Sequence, residues 1–401
     1  MATIRLRYGR QAVEFNYDEA RFQLLAPSAV EGPLTDGEMS ARLDQPFDAQ
    51  PLEEIISPGE SVLIIFANVT RLSASGVVAQ MLVRRLIQLG VAARDIRAIF
   101  ATGIDRRLTK EEKRDLLSPF IAQRIAALDH DPFAEAALVN LGETEHHLPI
   151  EVNRALLDHS HIILTGSVAF HSVLGFTGGR ELICPGLCSA RTIEALYESA
   201  FDGATGERRA GVGPGLLDGN VAHEECERVA AEVAPSFLAC TIVDERGRPT
   251  SFHAGDWRLA HRHACAEYAT RHTLAVGEKR PLVIASCGGD PFDLNLAEAY
   301  EALEMASRLC IEGGTIVLLA ECSEGLGACR WMLRAWQRKA ERYRIFLISD
   351  LKEDDVRRFG IRTATSLEEA MAQIEAKQEG FIVPHGAAFM PIIEARSDPS
   401  S

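Results

Sequence analysis

The strongest constraint on the fold is a recurring order of segments: a short apolar run, a polar loop, and then a stretch with helical spacing of apolar residues. The apolar runs are Val62–Ala67, Ile96–Thr102, Ile162–Gly166, Leu282–Ser286 and Thr315–Ala320. Strands that are apolar throughout are buried on both faces, and alternation with helices joins such strands in parallel. The sequence therefore predicts an α/β fold with mostly parallel sheets.

The length of the chain predicts more than one domain. At 401 residues it exceeds what a single core usually supports, so we expect two domains. The alternation of strands and helices stops at the polar, charged stretch around Val276–Pro281 and then restarts. We therefore predict an N-terminal α/β domain over residues 1–275 and a C-terminal α/β domain over residues 276–401.

Local signals predict where individual elements begin. Three helix starts are predicted from capping residues: Thr109 with Glu112, Asn295 with Glu298, and Ser73 or Ser75. We also predict a short strand at Ala137–Asn140 and a helix at Ile150–Leu157.

Charge and composition narrow the range of partners. The formal net charge is −15, which repels nucleic-acid phosphates and anionic lipid, and basic residues occur only in short clusters such as Arg106-Arg107. No apolar run is long enough to span a membrane, and the first residues do not resemble a signal peptide. The nine cysteines form no C-x-x-C pair, which is typical of a reduced compartment. We expect a cytoplasmic protein that binds a small molecule, without nucleic acid or membrane, and the sequence leaves the oligomeric state open.

Polar residues follow three of the predicted strands. Asn68 and Arg71 follow the first, Asp105 follows the second, and His171 follows the third. Because ligands of parallel sheets bind at the carboxyl ends of the strands, we expect these side chains to share one site. His171 suits a general base, although a histidine bonded to a loop carbonyl is the ordinary alternative. Arg71 could bind a carboxylate or form a structural ion pair, and Asp105 could be catalytic or pair with a surface arginine.

A glycine-rich loop follows His171 and runs from Gly175 to Arg180. Glycines let the backbone approach a ligand closely, and Gly178 and Gly179 with Arg180 could bind a phosphate. A plain glycine turn is the alternative, since Gly-Gly pairs are common.

Several motifs, taken in their order along the chain, resemble one known family. They are Val69-Thr-Arg71, Ala101-Thr-Gly103, Glu151-Val-Asn-Arg154, His171 with Gly175–Arg180, Pro185-Gly186, Leu217–Asn220, Ala254–Arg258, Gly288–Pro291 and Ser323–Gly325. This order resembles the lactate racemase family, which are nickel-pincer-nucleotide 2-hydroxyacid racemases and epimerases, over almost the whole chain. The resemblance implies two α/β domains, the C-terminal one smaller, with the active site in the cleft between them.

The resemblance also implies residue roles. In that family the pincer nucleotide accepts a hydride from C2 of the substrate while a histidine removes the hydroxyl proton. His171 matches one catalytic histidine and Arg71 matches the arginine that holds the substrate carboxylate, whereas Asp105 stands where the second histidine is expected. A cofactor of this kind would lie near Asn68, Gly178, Gly179 and Arg180.

Two departures from the family pattern concern the cofactor. The lysine that attaches the nucleotide covalently is replaced by Glu181, and the histidine that ligates nickel is replaced by Tyr197. Glutamate cannot form the lysine's bond, and tyrosine is a poorer nickel ligand than imidazole. We assign no metal ligand in this chain. We predict an isomerase of a 2-hydroxy acid with His171 as general base; a nickel-independent lyase or dehydratase and a non-catalytic ligand-binding paralogue are the alternatives.

Overall fold

The computed structural model places the chain in two compact units. The central unit comprises the described residues of Val30–Asp202 and Arg208–Tyr268, and the terminal unit those of Met1–Ala29, Gly203–Glu207 and Ala269–Ser401. The structure describes residues 1–26, 32–375 and 378–394. The terminal unit is therefore discontinuous in sequence, which differs from the two contiguous domains predicted above.

The strands of the described chain follow one another in this order: β1 Ala2–Tyr8, β2 Gln11–Tyr17, β3 Phe22–Leu24, β4 Val62–Ala67, β5 Ile96–Ala101, β6 Ala126–Leu128, β7 Leu138–Glu143, β8 Pro149–Asn153, β9 His161–Ser167, β10 Phe170–His171, β11 Gly175–Phe176, β12 Phe237–Val243, β13 Pro249–Gly255, β14 Thr273–Val276, β15 Arg280–Ser286, β16 Cys310–Leu319, β17 Arg344–Ile348, β18 Arg362–Thr363, β19 Gly380–Val383 and β20 Met390–Ile393. The α-helices are α1 Asp36–Asp44, α2 Leu52–Ile55, α3 Ser75–Gln88, α4 Lys110–Leu117, α5 Pro119–Ala122, α6 Ala190–Ala200, α7 Val221–Val233, α8 Leu259–His272, α9 Leu296–Leu309, α10 Arg330–Arg342, α11 Glu353–Arg357 and α12 Leu367–Ala372.

The sheet of the central unit has the strand order β13-β12-β9-β4-β5-β6. Every neighbouring pair is parallel except β12 with β13. All residues of β4 are buried, as expected for a strand covered on both faces. Phe66, Phe100 and Leu82 belong to the apolar core that β4, β5 and α3 form together. The predicted parallel α/β architecture is confirmed here.

The sheet of the terminal unit has the order β18-β17-β16-β15-β19-β3 and is parallel throughout. Its edge strand β3 comes from the first part of the chain and pairs with β19. The antiparallel hairpin of β1 and β2 adds Leu6 and Phe15 to the same apolar core as Leu282 and Ile284 of β15. These contacts are why the N-terminal residues belong to the terminal unit.

Some predicted element boundaries are confirmed and others are wrong. Thr109 and Glu112 form a capping box at α4, and the Asn295 side chain caps α9. The start of α3 instead has Ala74 at the N-cap position without a side-chain hydrogen bond, because the hydroxyls of Ser73 and Ser75 bond each other at 2.7 Å.

The helix predicted at Ile150–Leu157 is also wrong. Its first half is strand β8, antiparallel to β7, and a single 3-10 turn follows at Arg154–Leu156. Ile150 and Val152 are buried while Glu151 is half-buried, which is the alternation of a strand. An apolar run this short does not distinguish a strand from a helix by its spacing alone.

The helices and the cysteines of the described chain were compared with what membrane-spanning and disulfide-bonded proteins require. None of its helices combines the length and the apolar character needed to cross a membrane. All nine cysteines lie in the described ranges as free thiols, and every one except Cys329 is buried. Cys184 and Cys188, which flank a Pro-Gly turn, are therefore small interior side chains.

Candidate functional site

The loops after β4 and β5 meet at the carboxyl edge of the central sheet. Asn68 follows β4, and its Nδ2 donates to Oδ2 of Asp105, which lies in the loop after β5, at 3.0 Å. The backbone N–H of Arg71 donates to the Asn68 carbonyl at 3.1 Å, so Arg71 belongs to the same turn. Asn68, Arg71 and Asp105 therefore lie together, as the order of strands predicts.

Arg71 connects this turn to the glycine-rich loop. Its Nη2 lies 3.5 Å from Oε1 of Glu181, and the two side chains are 25% and 14% exposed. Oε2 of Glu181 accepts from the backbone N–H of Gly178 at 2.6 Å. Both oxygens of Glu181 are thus in use inside the loop.

The two central glycines of the loop are required by its own packing. Gly178 and Gly179 have φ of 79° and 55°, the left-handed region that favours glycine. A Cβ on Gly179 would lie 2.7 Å from the ring of His261, and a Cβ on Gly178 would lie 2.9 Å from the Ser167 carbonyl oxygen. The Gly178 N–H, which a bound phosphate would need, already donates to Glu181.

Arg180 lies inside the loop with only 1% of its surface exposed. Its guanidinium donates to the carbonyls of Phe176, Gly178 and Leu174 at 2.9, 3.1 and 2.6 Å. A cation in the interior needs such partners, and here the backbone of the loop supplies them. The guanidinium therefore holds the loop closed from within, and the cofactor role predicted for Arg180 remains a prediction.

His171 is the last residue of β10 and pairs with Gly175 of β11, and only 4% of its surface is exposed. Its Nδ1 accepts hydrogen bonds from the backbone N–H groups of Val173 and Leu174, both at 3.1 Å. Burial, and then the charges of Arg71 and Arg180, hold the pKa of His171 well below its ordinary value. The side chain is neutral at physiological pH.

His261 is a buried residue of the site that sequence reasoning missed. A lone pair of histidines such as His261-Arg-His263 is typical of a helix surface, yet His261 is 1% exposed and its Nε2 lies 2.9 Å from the Thr177 carbonyl and 3.3 Å from Arg180. Burial, followed by the charge of Arg180, lowers its pKa to about 3. Gly179, which has no room for a Cβ beside this ring, was the only sequence signal for it.

The side chains present do not fit a covalently attached, histidine-ligated nickel nucleotide. Glu181 offers no amine, and its carboxylate is already bonded to Gly178 and close to Arg71. Tyr197 lies on α6 with 9% of its surface exposed. Within the described ranges, no three His, Cys, Asp or Glu side chains are grouped so that they could hold a metal ion. No chemical step through that cofactor follows from these residues.

The chain is similar to characterised proteins over most of its length. Residues 8–206 match the family model "Lactate racemase N-terminal domain". Lactate racemase of Lactiplantibacillus plantarum is 24% identical over an alignment of 413 residues, which covers 94% of this chain and 96% of that protein. Lactate racemase of Thermoanaerobacterium thermosaccharolyticum is 23% identical over 331 residues, covering 82% of this chain and 76% of that protein.

Solved structures show the same fold. The lactate racemase apoprotein of Thermoanaerobacterium thermosaccharolyticum superposes with a TM-score of 0.85 at 19% identity, covering 98% of this chain and 100% of that chain. A protein of Thermotoga maritima superposes with a TM-score of 0.71 at 17% identity, covering 91% of this chain and 100% of that chain.

Proposed function

The chain belongs to the lactate racemase family, and we propose that it is a racemase or epimerase that inverts the configuration at C2 of a 2-hydroxy acid. The observation that carries this proposal is the turn after β4, where Arg71 and Asn68 lie together and Asn68 binds Asp105 at 3.0 Å. The planar guanidinium of Arg71 suits the carboxylate of a 2-hydroxy acid, and the oriented carboxylate of Asp105 suits its hydroxyl-bearing carbon.

Each side chain has a proposed role. Arg71 binds the substrate carboxylate through its guanidinium, and its ion pair with Glu181 holds it in place when no substrate is bound. Asn68 orients Asp105 through the amide hydrogen bond. One of Asp105 and His171 takes the proton of C2 as that C–H bond breaks, and the other gives a proton to the opposite face of the planar intermediate, which inverts the configuration.

The cofactor proposal follows from Glu181. We propose that this protein carries no covalently attached pincer nucleotide, because Glu181 lacks the amine that would form the bond and is engaged by Gly178. Intact mass of protein coexpressed with cofactor-synthesising enzymes should equal the mass of the chain alone. Elemental analysis of the same sample measures its nickel content. A covalent adduct in the intact mass would contradict this part of the proposal.

The activity is tested with the purified full chain and single enantiomers of lactate and other 2-hydroxy acids in D2O. We expect each enantiomer of the accepted acid to approach a racemic mixture by chiral chromatography, and NMR reports whether deuterium enters at C2. Arg71→Gln should lose this activity because it removes the cation that binds the carboxylate. Thermal stabilisation by an acid without any interconversion would instead identify a binding protein.

A further inference from the structure

We propose that the segment formed by residues 208–220 positions the imidazole of His171, and that Asn220 is the main positioning residue in it. The role of His171 in turnover rests on the proposed function. The structural part rests on hydrogen bonds within the central unit alone. The segment includes the Leu217–Asn220 motif of the sequence, and the same contacts explain why asparagine stands at its end.

The turn that follows His171, residues 172–176, is buried, and each of its carbonyl groups accepts a hydrogen bond from outside the turn. The 208–220 segment donates to three of these carbonyls, and Arg180 donates to the other two. The donor and acceptor pairs are Arg208 to Ser172 (2.6 Å), Asn220 to Val173 (2.9 Å), Arg180 to Leu174 (2.6 Å), Gly215 to Gly175 (2.9 Å) and Arg180 to Phe176 (2.9 Å). Buried carbonyls need such partners, and most of them come here from one segment.

The 172–176 turn does not fix its own position. The strands on either side of it, β10 and β11, contain two residues each and form two residue pairs. A hairpin of this size is not stable by itself. The N–H groups of Val173 and Leu174 point at Nδ1 of His171 and not across the hairpin. The orientation of the imidazole therefore depends on where these two peptide groups are held.

Two donors of the 208–220 segment act on these same peptide groups. The Ser172 carbonyl and the Val173 N–H belong to one peptide group, which Arg208 holds at its oxygen. The Val173 carbonyl and the Leu174 N–H belong to the next peptide group, which Asn220 holds at its oxygen. Because a peptide group is planar, a donor at the carbonyl also fixes the direction of the N–H on the opposite side.

The 208–220 segment is itself fixed at both ends. The backbone N–H of Arg209 donates to the carbonyl of Ala200, the last residue of α6, at 2.9 Å. At the other end, Asn220 is the N-cap residue of α7. Between the two ends the backbone lies directly on the turn, since a Cβ on Gly175 would be 2.0 Å from the Leu216 carbonyl oxygen. The segment is therefore a support that α6 and α7 hold in place.

Asn220 uses its whole amide for this support. It is fully buried, and Nδ2 donates to the carbonyls of Val173 and Leu216 at 2.9 and 3.0 Å. Oδ1 accepts from the N–H groups of Ala222 and His223 at 3.1 and 3.3 Å. Two carbonyls on one side and two N–H groups on the other determine the orientation of the amide. One side chain thus joins the start of α7 to the turn that contacts His171.

Asn220→Ser separates support of the turn from capping of α7. Serine is as good an N-cap residue as asparagine, but its shorter side chain ends before the Val173 carbonyl. We expect the amides of Val173 and Leu174 to exchange with deuterium about tenfold faster than in the wild type. We also expect the imidazole nitrogen signals of His171 to shift in long-range proton–nitrogen NMR, where their loss in His171→Gln assigns them.

Asn295→Ser is the matched control, because it makes the same change at the N-cap of α9 in the terminal unit. It should alter neither the exchange of the two amides nor the His171 signals. Unchanged exchange and unchanged His171 signals in Asn220→Ser would overturn the proposal. Both measurements use the full chain without substrate, so they are independent of the proposed activity.

A second pair of variants tests the donor at Ser172. Lysine in Arg208→Lys keeps a donor of similar reach, whereas Arg208→Met keeps only the length of the side chain. We expect the Val173 amide to exchange within about threefold of the wild-type rate in Arg208→Lys and about tenfold faster in Arg208→Met. Equal rates in the two variants would show that this hydrogen bond does not hold the turn.

The effect on turnover is measured with the enantiomers of lactate, or of the 2-hydroxy acid that the wild type interconverts. In Asn220→Ser we expect kcat to fall about 10- to 10²-fold, because the imidazole is displaced, while KM changes less than about twofold. A raised KM with unchanged kcat would overturn the positioning role. Absence of turnover in the wild type would contradict the proposed function instead, and the exchange and NMR results would still decide whether the 208–220 segment holds His171.

Discussion

At the scale of single residues, buried charge controls the site. Arg180 is enclosed by carbonyl oxygens, and its charge adds to the burial that lowers the pKa of both His171 and His261. Glu181 forms an ion pair with the half-buried Arg71 at 3.5 Å. The neighbouring residues Arg180 and Glu181 thus carry opposite charges, each with its own partners.

Replacing Arg180 with methionine should destabilise the protein strongly. The change removes hydrogen bonds to three backbone carbonyls, those of Phe176, Gly178 and Leu174, of which Gly178 still accepts from the Glu181 N–H. We expect a loss of about 3 kcal/mol or more in the free energy of unfolding, measured by urea denaturation. Arg191→Gln is the control, because the Arg191 side chain is 71% exposed and its ion pair with Glu151 should contribute about 1 kcal/mol or less. Similar losses in both variants would contradict the role of Arg180.

Glu181→Gln separates the two functions of that carboxylate. The amide oxygen of glutamine can still accept from Gly178, but the charge that opposes Arg71 is gone. We expect the variant to fold normally and to bind a 2-hydroxy carboxylate several-fold more tightly, measured by calorimetry. Glu181→Ala, which also loses the hydrogen bond to Gly178, should be about 1 kcal/mol less stable. Unchanged affinity in Glu181→Gln would show that Arg71 does not bind the ligand.

His130 makes stability depend on pH. It is 3% exposed, lies 3.0 Å from the Cys188 carbonyl through Nε2, and accepts from Asn153 at Nδ1. Burial is the main cause that lowers its pKa to about 4, against 6.5 for the free side chain. The unfolded chain then binds more protons between these values, so stability is complete above pH 6.5 and falls as the pH drops towards 4, by up to about 3 kcal/mol.

The pH effect is checked by urea denaturation of the wild type and of His130→Gln at several pH values between 4 and 7.5. The variant has no imidazole to protonate, so its stability should fall less steeply over this range. Parallel curves for the two proteins would assign the pH dependence to other groups.

At the scale of elements, short-range signals predicted the structure well. The capping box of α4 is present because it involves only residues three apart, and β4 is buried throughout because its sequence is apolar throughout. The helix prediction for Ile150–Leu157 was wrong because the strand formed there, β8, depends on pairing with β7. The spacing of apolar residues in this short segment fits a helix and a strand equally well, and the hydrogen bonds to the neighbouring strand select the strand.

Thr109→Ala tests the capping box of α4. Its hydroxyl accepts from the Glu112 N–H, and the Glu112 carboxylate accepts from the Thr109 N–H. Removing the hydroxyl should lower the free energy of unfolding by about 1 kcal/mol, read from the midpoint of urea denaturation. Thr109→Ser keeps the hydroxyl and should change stability little; a loss as large as that of alanine would point to the lost methyl group.

At the scale of the whole molecule, the discontinuity of the terminal unit predicts how the chain can be divided. Residues 276–401 alone lack β3 and the β1–β2 hairpin, which contributes Leu6 and Phe15 to the core of that unit. We expect this fragment to unfold without a cooperative thermal transition by circular dichroism. Residues 269–401 joined to residues 1–29 through a flexible linker should recover one, and a cooperative transition in 276–401 alone would contradict this view.

The sequence by itself determined the α/β class, the five apolar strands β4, β5, β9, β15 and β16, two helix caps, and the gathering of Asn68, Arg71 and Asp105 at one edge. These follow from local periodicity, from hydrogen bonds between residues three apart, and from the geometry of parallel strands. The tertiary structure alone decided the burial of His171 and the two backbone N–H groups, of Val173 and Leu174, that donate to its Nδ1. It likewise decided the burial of His261, the pairing of Arg71 with Glu181, and the place of the first strands in the terminal unit. Each of these depends on atoms brought together from distant parts of the chain, and no local pattern carries that information.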